Sequence, residues 1–262
     1  MITFLHKKII VAGLIPIAFL FCACQKTLRF NEGPAADHTL TIQFKPIVDA
    51  DSLEFGKTFH NIFGENYTIR NFKFYICQVD LINTDSGRSY RLNKDEYFLV
   101  NFADPNSTKI QLKAVPFKYN RIAFLIGVDS IRNVSGAQTG ALDPANGMFW
   151  TWNSGYIMAK LEGNSPASSQ PNQVFEYHIG GFSGAENVLQ KVSLSFPLNE
   201  IVLFEPGKGT HMTINANANA WFSGPTAISI VSTPVCTTPG SLAKSISENY
   251  ATMFEVINIV NE

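Results

Sequence analysis

The sequence predicts an all-β domain, an antiparallel β-sandwich with long loops and a short C-terminal helix. Three observations predict it. Apolar and polar residues alternate with period two in about eight separate segments, the pattern of strands with one face buried. Clusters of Gly, Pro, Asn and Ser divide those segments with no long helical pattern between them, as a sandwich or barrel requires. Aromatic residues make up 12% of the chain, with 21 Phe, and such side chains suit pleated, half-buried surfaces.

The chain opens with an export signal rather than a fold element. A basic patch, His6-Lys7-Lys8, precedes an apolar run from Ile9 to Cys22 that is shorter than the ~20 residues a membrane span needs. The small residue Ala23 stands directly before Cys24, so residues 1–23 are expected to leave as a lipoprotein signal peptide and Cys24 to carry the lipid. Cys22 competes for that role, but bulky Phe21 before it suits a signal peptidase less well; an uncleaved anchor is the remaining alternative. Residues 24–38, with few consecutive apolar side chains and the pair Gly33-Pro34, read as a lipidated tether, and residues 39–262 as one domain. This reading places the protein in the cell envelope, anchored at the outer membrane or periplasmic face, with the lipid bilayer as a partner.

Within the domain, Leu40, Ile42 and Phe44 mark the first strand. From Tyr67 to Leu81 both faces are apolar, with Phe72, Phe74 and Ile76 on one side and Tyr75, Cys77, Val79 and Leu81 on the other, so this strand is expected at the centre of a sheet. Further strands are expected at Tyr97–Phe102, Tyr119–Val128, Tyr156–Leu161, Val174–Ile179, Val188–Phe196 and His211–Asn215. From Leu242 to Ile259 the rhythm changes: Ile246, Tyr250, Met253, Phe254 and Ile257 recur at three and four, which predicts a helix after Pro239-Gly240-Ser241.

A net charge of −1 with 16% charged residues provides no long-range field for nucleic acid, which excludes that class of partner. Of four cysteines, Cys77 and Cys236 remain after the signal and the lipid site are set aside; export permits a disulfide between them, and two buried thiols are the alternative. No nucleophile elbow, His-Glu-x-x-His or phosphate loop occurs, so no enzymatic activity is expected. Glu162 and Glu176 would serve glycoside chemistry only at a separation that sequence does not provide.

The stretch from Gly127 to Gly163 is the most unusual. A polar loop of about twenty residues follows Val128, a length that in compact domains marks function or disorder, and this one is too aromatic for disorder. Asp129, Asn133, Asp143 and Asn146 supply oxygen ligands of the kind calcium prefers, although their spacing fits no known loop; turn residues bonding their own backbone are the alternative. Trp150 and Trp152 then arrive close together, followed by Tyr156.

The segments Met148-Phe149-Trp150-Thr151-Trp152-Asn153-Ser154-Gly155-Tyr156, Lys160-Leu161-Glu162-Gly163, Phe175-Glu176-Tyr177-His178-Ile179-Gly180-Gly181 and Phe72-Lys73-Phe74-Tyr75 resemble the MbnP-like domain family over most of the mature chain. The resemblance implies copper held by histidines, with a tryptophan near the metal that a di-haem peroxidase-like partner oxidises. Carried to this chain, it marks His178 as a ligand and Trp150 or Trp152 as the oxidisable residue. Alternation turns His178 and Glu176 away from Phe175, Tyr177 and Ile179, and turns His211 away from Met212 and Ile214, so His211 is a second candidate ligand. The thioethers of Met148 and Met212 would favour the cuprous state. Relatives that carry histidines near the C-terminus differ from this chain, which has Ile257-Asn258-Ile259-Val260 there.

Two functions therefore stand side by side. One is a copper-binding envelope protein using His178 and His211 beside Trp150 or Trp152. The other is a metal-free, non-catalytic binding module in which Trp150, Trp152, Tyr156 and Trp221 form an aromatic platform for a sugar or peptide.

Overall fold

The computed structural model describes residues 35–153 and 155–262. The expected lipid site Cys24, the expected signal peptide and most of the expected tether lie outside the described residues. The first strand, His38–Val48, buries Leu40, Ile42 and Phe44 as its alternation requires. It is the middle of one sheet. Lys109–Ala114 and the short Asp51–Ser52 pair along one of its edges, and Gly209–Asn217 pairs along the other, carrying Phe254–Asn261 beyond it.

The second sheet is organised by one 18-residue strand, Asn66–Asn83. Gly155–Asn164 pairs with its first half, Arg121–Ile126 with its second half on the same edge, and Tyr97–Asn101 and Arg88–Arg91 on the opposite edge. Gln190–Ser195 and Val174–Gly180 extend the sheet outward. The expected central position of this strand is thus observed. Its register changes between Cys77 and Asp80, where Gln78 takes the left-handed φ of 53°. Such a bulge strands backbone groups, and here Asn93 Oδ1 accepts the Val79 N–H at 2.8 Å while the Leu92 N–H reaches the Val79 carbonyl.

The two sheets meet through aromatic side chains. Phe44 and Phe254 come from one sheet, Phe74 and Phe124 from the other, with centroids 5.2 to 6.1 Å apart in edge-to-face contacts. Edge-to-face geometry places positive ring edges on negative faces and adds specificity to the burial of apolar area. Trp221 is fully buried between Tyr250 and Tyr177, so it belongs to the core and not to a surface platform.

Two expectations need correction. The sandwich is not wholly antiparallel: His38–Val48 runs parallel to Gly209–Asn217, and Val174–Gly180 runs parallel to Val235–Cys236. Alternation reports which face is buried and carries no information on strand direction, and so much chain separates these partners that either direction can be reached. The C-terminal helix stops at Tyr250, having begun at Ser241, and Phe254–Asn261 is a strand. There Phe254 and Val256 are buried while Glu255 and Ile257 are exposed, so the true period is two and the helical spacing of Ile257 was coincidental. Lys109–Ala114 was not anticipated, although Ile110, Leu112 and Ala114 alternate inward with Lys109, Gln111 and Lys113 outward.

Cys77 and Cys236 are free and buried. Burial, with the Asp129 carboxylate nearby, pushes the Cys77 thiol up to about 12, and burial pushes Cys236 up to about 11. Thiol titration of the folded protein should therefore leave both unreacted at pH 8, and both should react once it is unfolded in urea. Phe44→Ala should lower the unfolding free energy by about 3–5 kcal/mol in a denaturant titration, because it opens a cavity between the sheets.

Candidate functional site

The fork in the second sheet positions the long loop. Gly155–Asn164 and Arg121–Ile126 share one edge of Asn66–Asn83 and part at Tyr75, whose carbonyl accepts the Gly127 N–H at 2.9 Å. The chain between Ile126 and Gly155 leaves and returns at that fork. It covers the outer face of the central strand, which is why that strand is apolar on both sides: the Tyr75 hydroxyl donates to the Ala141 carbonyl at 3.0 Å and Tyr156 to that of Leu142 at 2.8 Å.

Backbone bonds order this loop. Asp129 accepts the Arg132 N–H and the Tyr97 hydroxyl. Buried Asn133 donates to the Val128 carbonyl at 2.5 Å and accepts the Tyr156 N–H at 2.9 Å, joining the loop's start to the strand that follows it. Asp143 caps the turn Pro144–Asn146 through the Ala145 N–H, and Asn146 donates to the Gly140 and Ala141 carbonyls. Of the four candidate calcium ligands, Asp129 and Asn133 hold one turn, and Asp143 and Asn146 another. The carbonyls of Asn146 and Gly147 face cations, receiving hydrogen bonds from the Lys73 and Lys160 ammonium groups at 3.2 and 2.7 Å.

Beyond that turn the tryptophans part company. Trp150 is buried, and its ring lies where a Cβ on Gly180 would stand, 2.4 Å from the nearest ring carbon. Gly180 is thus the reason an indole fits against the end of Val174–Gly180, while Gly181 takes a φ of 124° and lets the Glu186 carbonyl approach, 2.2 Å from where a Cβ would stand. Trp152 is 63% exposed, its ring centroid 5.5 Å from that of Trp150. Beside them opens a cavity of about 210 Å³ lined by Trp150, Asn153, Tyr156, Phe182, Ser183 and Glu186, among others. Tyr156 is fully buried at its floor, with the hydroxyl already bonded to Leu142. The opening therefore offers an indole face together with an amide, a hydroxyl and a carboxylate. Sequence reasoning identified the tryptophan pair and missed Phe182, Ser183 and Glu186, which the Gly180-Gly181 turn brings in from the next connection.

His178 lies elsewhere, on the outer face of three paired strands. Two cross-strand rows meet there, Lys73-Lys160-His178 and Asn71-Glu162-Glu176. His178 Nε2 is 2.6 Å from Glu162 Oε1, and Asn71 donates to Glu162 Oε2 at 3.1 Å. The Lys160 ammonium stands 3.7 Å from the same Oε1. Burial pushes the Glu162 carboxyl up, but hydrogen bonds from His178 and Asn71 and the Lys160 charge outweigh it, and the group titrates at about 2. Burial, reinforced by Lys73 and opposed by Glu162, lowers the pKa of Lys160.

This set does not fit copper. A carboxylate bonded to one ring nitrogen is the usual outer support of a metal-ligating imidazole, but a copper site needs two or three soft or imidazole donors, and the Lys160 ammonium already shares the carboxylate that holds His178. His211 lies in the other sheet, bridged to Glu262 at 2.9 Å. His38 is buried with both ring nitrogens bonded, to Glu205 and Thr210, and Met148 and Met212 are wholly buried. Among the described residues, no three His, Cys, Asp or Glu side chains form a group able to hold a metal ion.

The profile of the MbnP family matches residues 37–238. That span holds the Trp pair, the His178 strand and most of both sheets. The chain belongs to the MbnP family. MbnP from Methylosinus trichosporium has the same fold at 13% identity, with a TM-score of 0.51 over 76% of this chain and 82% of that one. No curated protein sequence matches the chain. The MbnP match ends before the helix Ser241–Tyr250 and the strand Phe254–Asn261, so the strand that closes the first sheet lies outside the matched residues.

Gly180→Ala should expel Trp150 from its slot, seen as a changed near-UV circular dichroism band and a loss of about 1–3 kcal/mol in stability. Glu162 has an ordinary value of 4.5, so its stabilising contribution is complete above that pH and lost as pH falls through about 2. Glu162→Gln should thus narrow the difference in unfolding free energy between pH 5 and pH 2 by on the order of 2 kcal/mol. Equal pH dependence in the two proteins would show that Glu162 does not carry it.

Proposed function

We propose that this MbnP-family protein is an exported, lipid-anchored binding module without catalytic activity, and that it holds a saccharide at the Trp150–Trp152 edge. The observation that supports this reading is the exposed indole of Trp152, whose ring lies 5.5 Å from that of Trp150, itself part of the lining of a cavity that Asn153, Ser183 and Glu186 also line. An indole face buries the apolar side of a sugar ring, and a few fixed polar groups orient it. Export and anchoring are supported by the basic patch, the short apolar run and the Ala23-Cys24 pair of the sequence. A di-haem partner that oxidises tryptophan would reach Trp152 rather than buried Trp150.

The test is a titration of intrinsic tryptophan fluorescence in the purified full chain with a panel of oligosaccharides. At least one should bind, and Trp152→Ala should weaken it about 30-fold, the equivalent of about 2 kcal/mol for a contact aromatic. The same preparation is dialysed against copper and its intact mass measured. Stoichiometric copper that disappears in His178→Ala, or an oxidised tryptophan in the protein from its native cells, would overturn the metal-free reading in favour of copper binding. Binding of peptides but not sugars would overturn the ligand class alone.

A further inference from the structure

The end of the domain where the first described strand begins carries several exposed apolar side chains. Leu198, Ile201, Leu203 and Val260 are all exposed there, Leu198 to 89%. They lie on two adjoining segments: Asn261, next to Val260, donates to the Leu203 carbonyl at 3.1 Å, and Pro197, Glu200 and Val202, chain neighbours of Leu198, Ile201 and Leu203, line a shallow cavity with Ile257 and Ile259 of the edge strand. A patch of this kind on a protein surface marks an interaction site.

Its position relative to the first described strand is what identifies the occupant. His38, where the strand begins, stacks on Phe204 at 4.6 Å and bonds the Glu205 carbonyl, directly beside Leu203. Val260 pairs with His211, which pairs with Thr41. Only thirteen residues separate His38 from Cys24, and a flexible chain of that length spans about 20 Å on average. A lipid on Cys24 would hold this end of the domain near the bilayer. Lysines lie at this end of the domain: Lys118 pairs with Leu203, Lys113 donates to Thr39 at 2.8 Å, and the Lys208 carbonyl receives the Thr39 N–H. Glu200 and Glu262 also lie at this end, so the charge is mixed and the apolar side chains supply most of the contact.

We infer that the surface formed by Leu198, Ile201, Leu203 and Val260 docks the domain onto the bilayer that carries its lipid, which turns the Trp152 edge to a set orientation above the membrane. This rests on the lipid anchoring of Cys24 proposed above. The loop bearing Phe55, Ile62 and Phe63 is also exposed and apolar, but it lies at the far end of the first strand, where Asn219 joins the His60 carbonyl to Asp49. It serves as an internal comparison.

The test uses the full lipidated chain on vesicles of three parts phosphatidylethanolamine to one of phosphatidylglycerol. An environment-sensitive fluorophore is placed at Leu203→Cys or Ile62→Cys, and a spin-labelled lipid acts as quencher; buried Cys77 and Cys236 stay unlabelled in the folded protein. Side chains that dock reach about 5–10 Å into the headgroup region, so quenching at position 203 should exceed that at 62 several-fold. Adding Leu198→Asp and Val260→Asp, both at exposed positions, should abolish that excess while the protein still floats with the vesicles. A chain that floats with equal quenching at both positions overturns the docking alone. A chain that fails to float overturns the anchoring and the docking with it.

Discussion

The Asn66–Asn83 strand is the constraint on which the rest of the structure depends. Five other strands take their register from it, and an 18-residue strand can serve so many only because the bulge at Gln78 bends it and Asn93 satisfies the amide that the bulge exposes. Its inward face supplies Phe72 and Phe74 to the inter-sheet core. Its outward face, with Tyr75 and Cys77, needs a cover, and the loop between Ile126 and Gly155 provides it. The loop is therefore a wall of the core as well as the carrier of the tryptophans. Its order follows from buried bonds such as those of Asn133, since an unbonded amide there would carry a desolvation cost of its own.

The outer face of the same sheet shows how one set of residues can serve structure and still resemble a metal ligand set. Lys73 and Lys160 reach up to the carbonyls of Asn146 and Gly147, Glu162 balances Lys160, and His178 and Asn71 complete the bonding of Glu162. Each buried charge has a partner, as partial burial demands. The network fastens the loop just before Met148, and so helps set where Trp150 enters its slot over Gly180. His178 is oriented as a ligand would be, yet its neighbours are those of a structural ion-pair network.

Membership of the MbnP family and a shared fold at 13% identity are compatible with a different ligand, because sites vary on a preserved scaffold. The edge-to-face packing of Phe44, Phe74, Phe124 and Phe254 and the Gly180 slot for Trp150 are features of the scaffold. The exposed face of Trp152 and the rim of Asn153, Ser183 and Glu186 are where this chain's own chemistry would reside.

By itself the sequence determined the all-β class, the placement of most long strands and the central strand with two apolar faces, because burial of alternate side chains is a local, periodic property. It also marked His178 as outward-facing, and Trp150 with Trp152 as neighbours. Tertiary structure alone decided the parallel pairing of the first strand with Gly209–Asn217, the ending of the helix at Tyr250, the burial of Trp150 and Trp221 against the exposure of Trp152, and the separation of His178 from His211. Each of these depends on which distant segment lies alongside, and spacing along the chain carries no record of that.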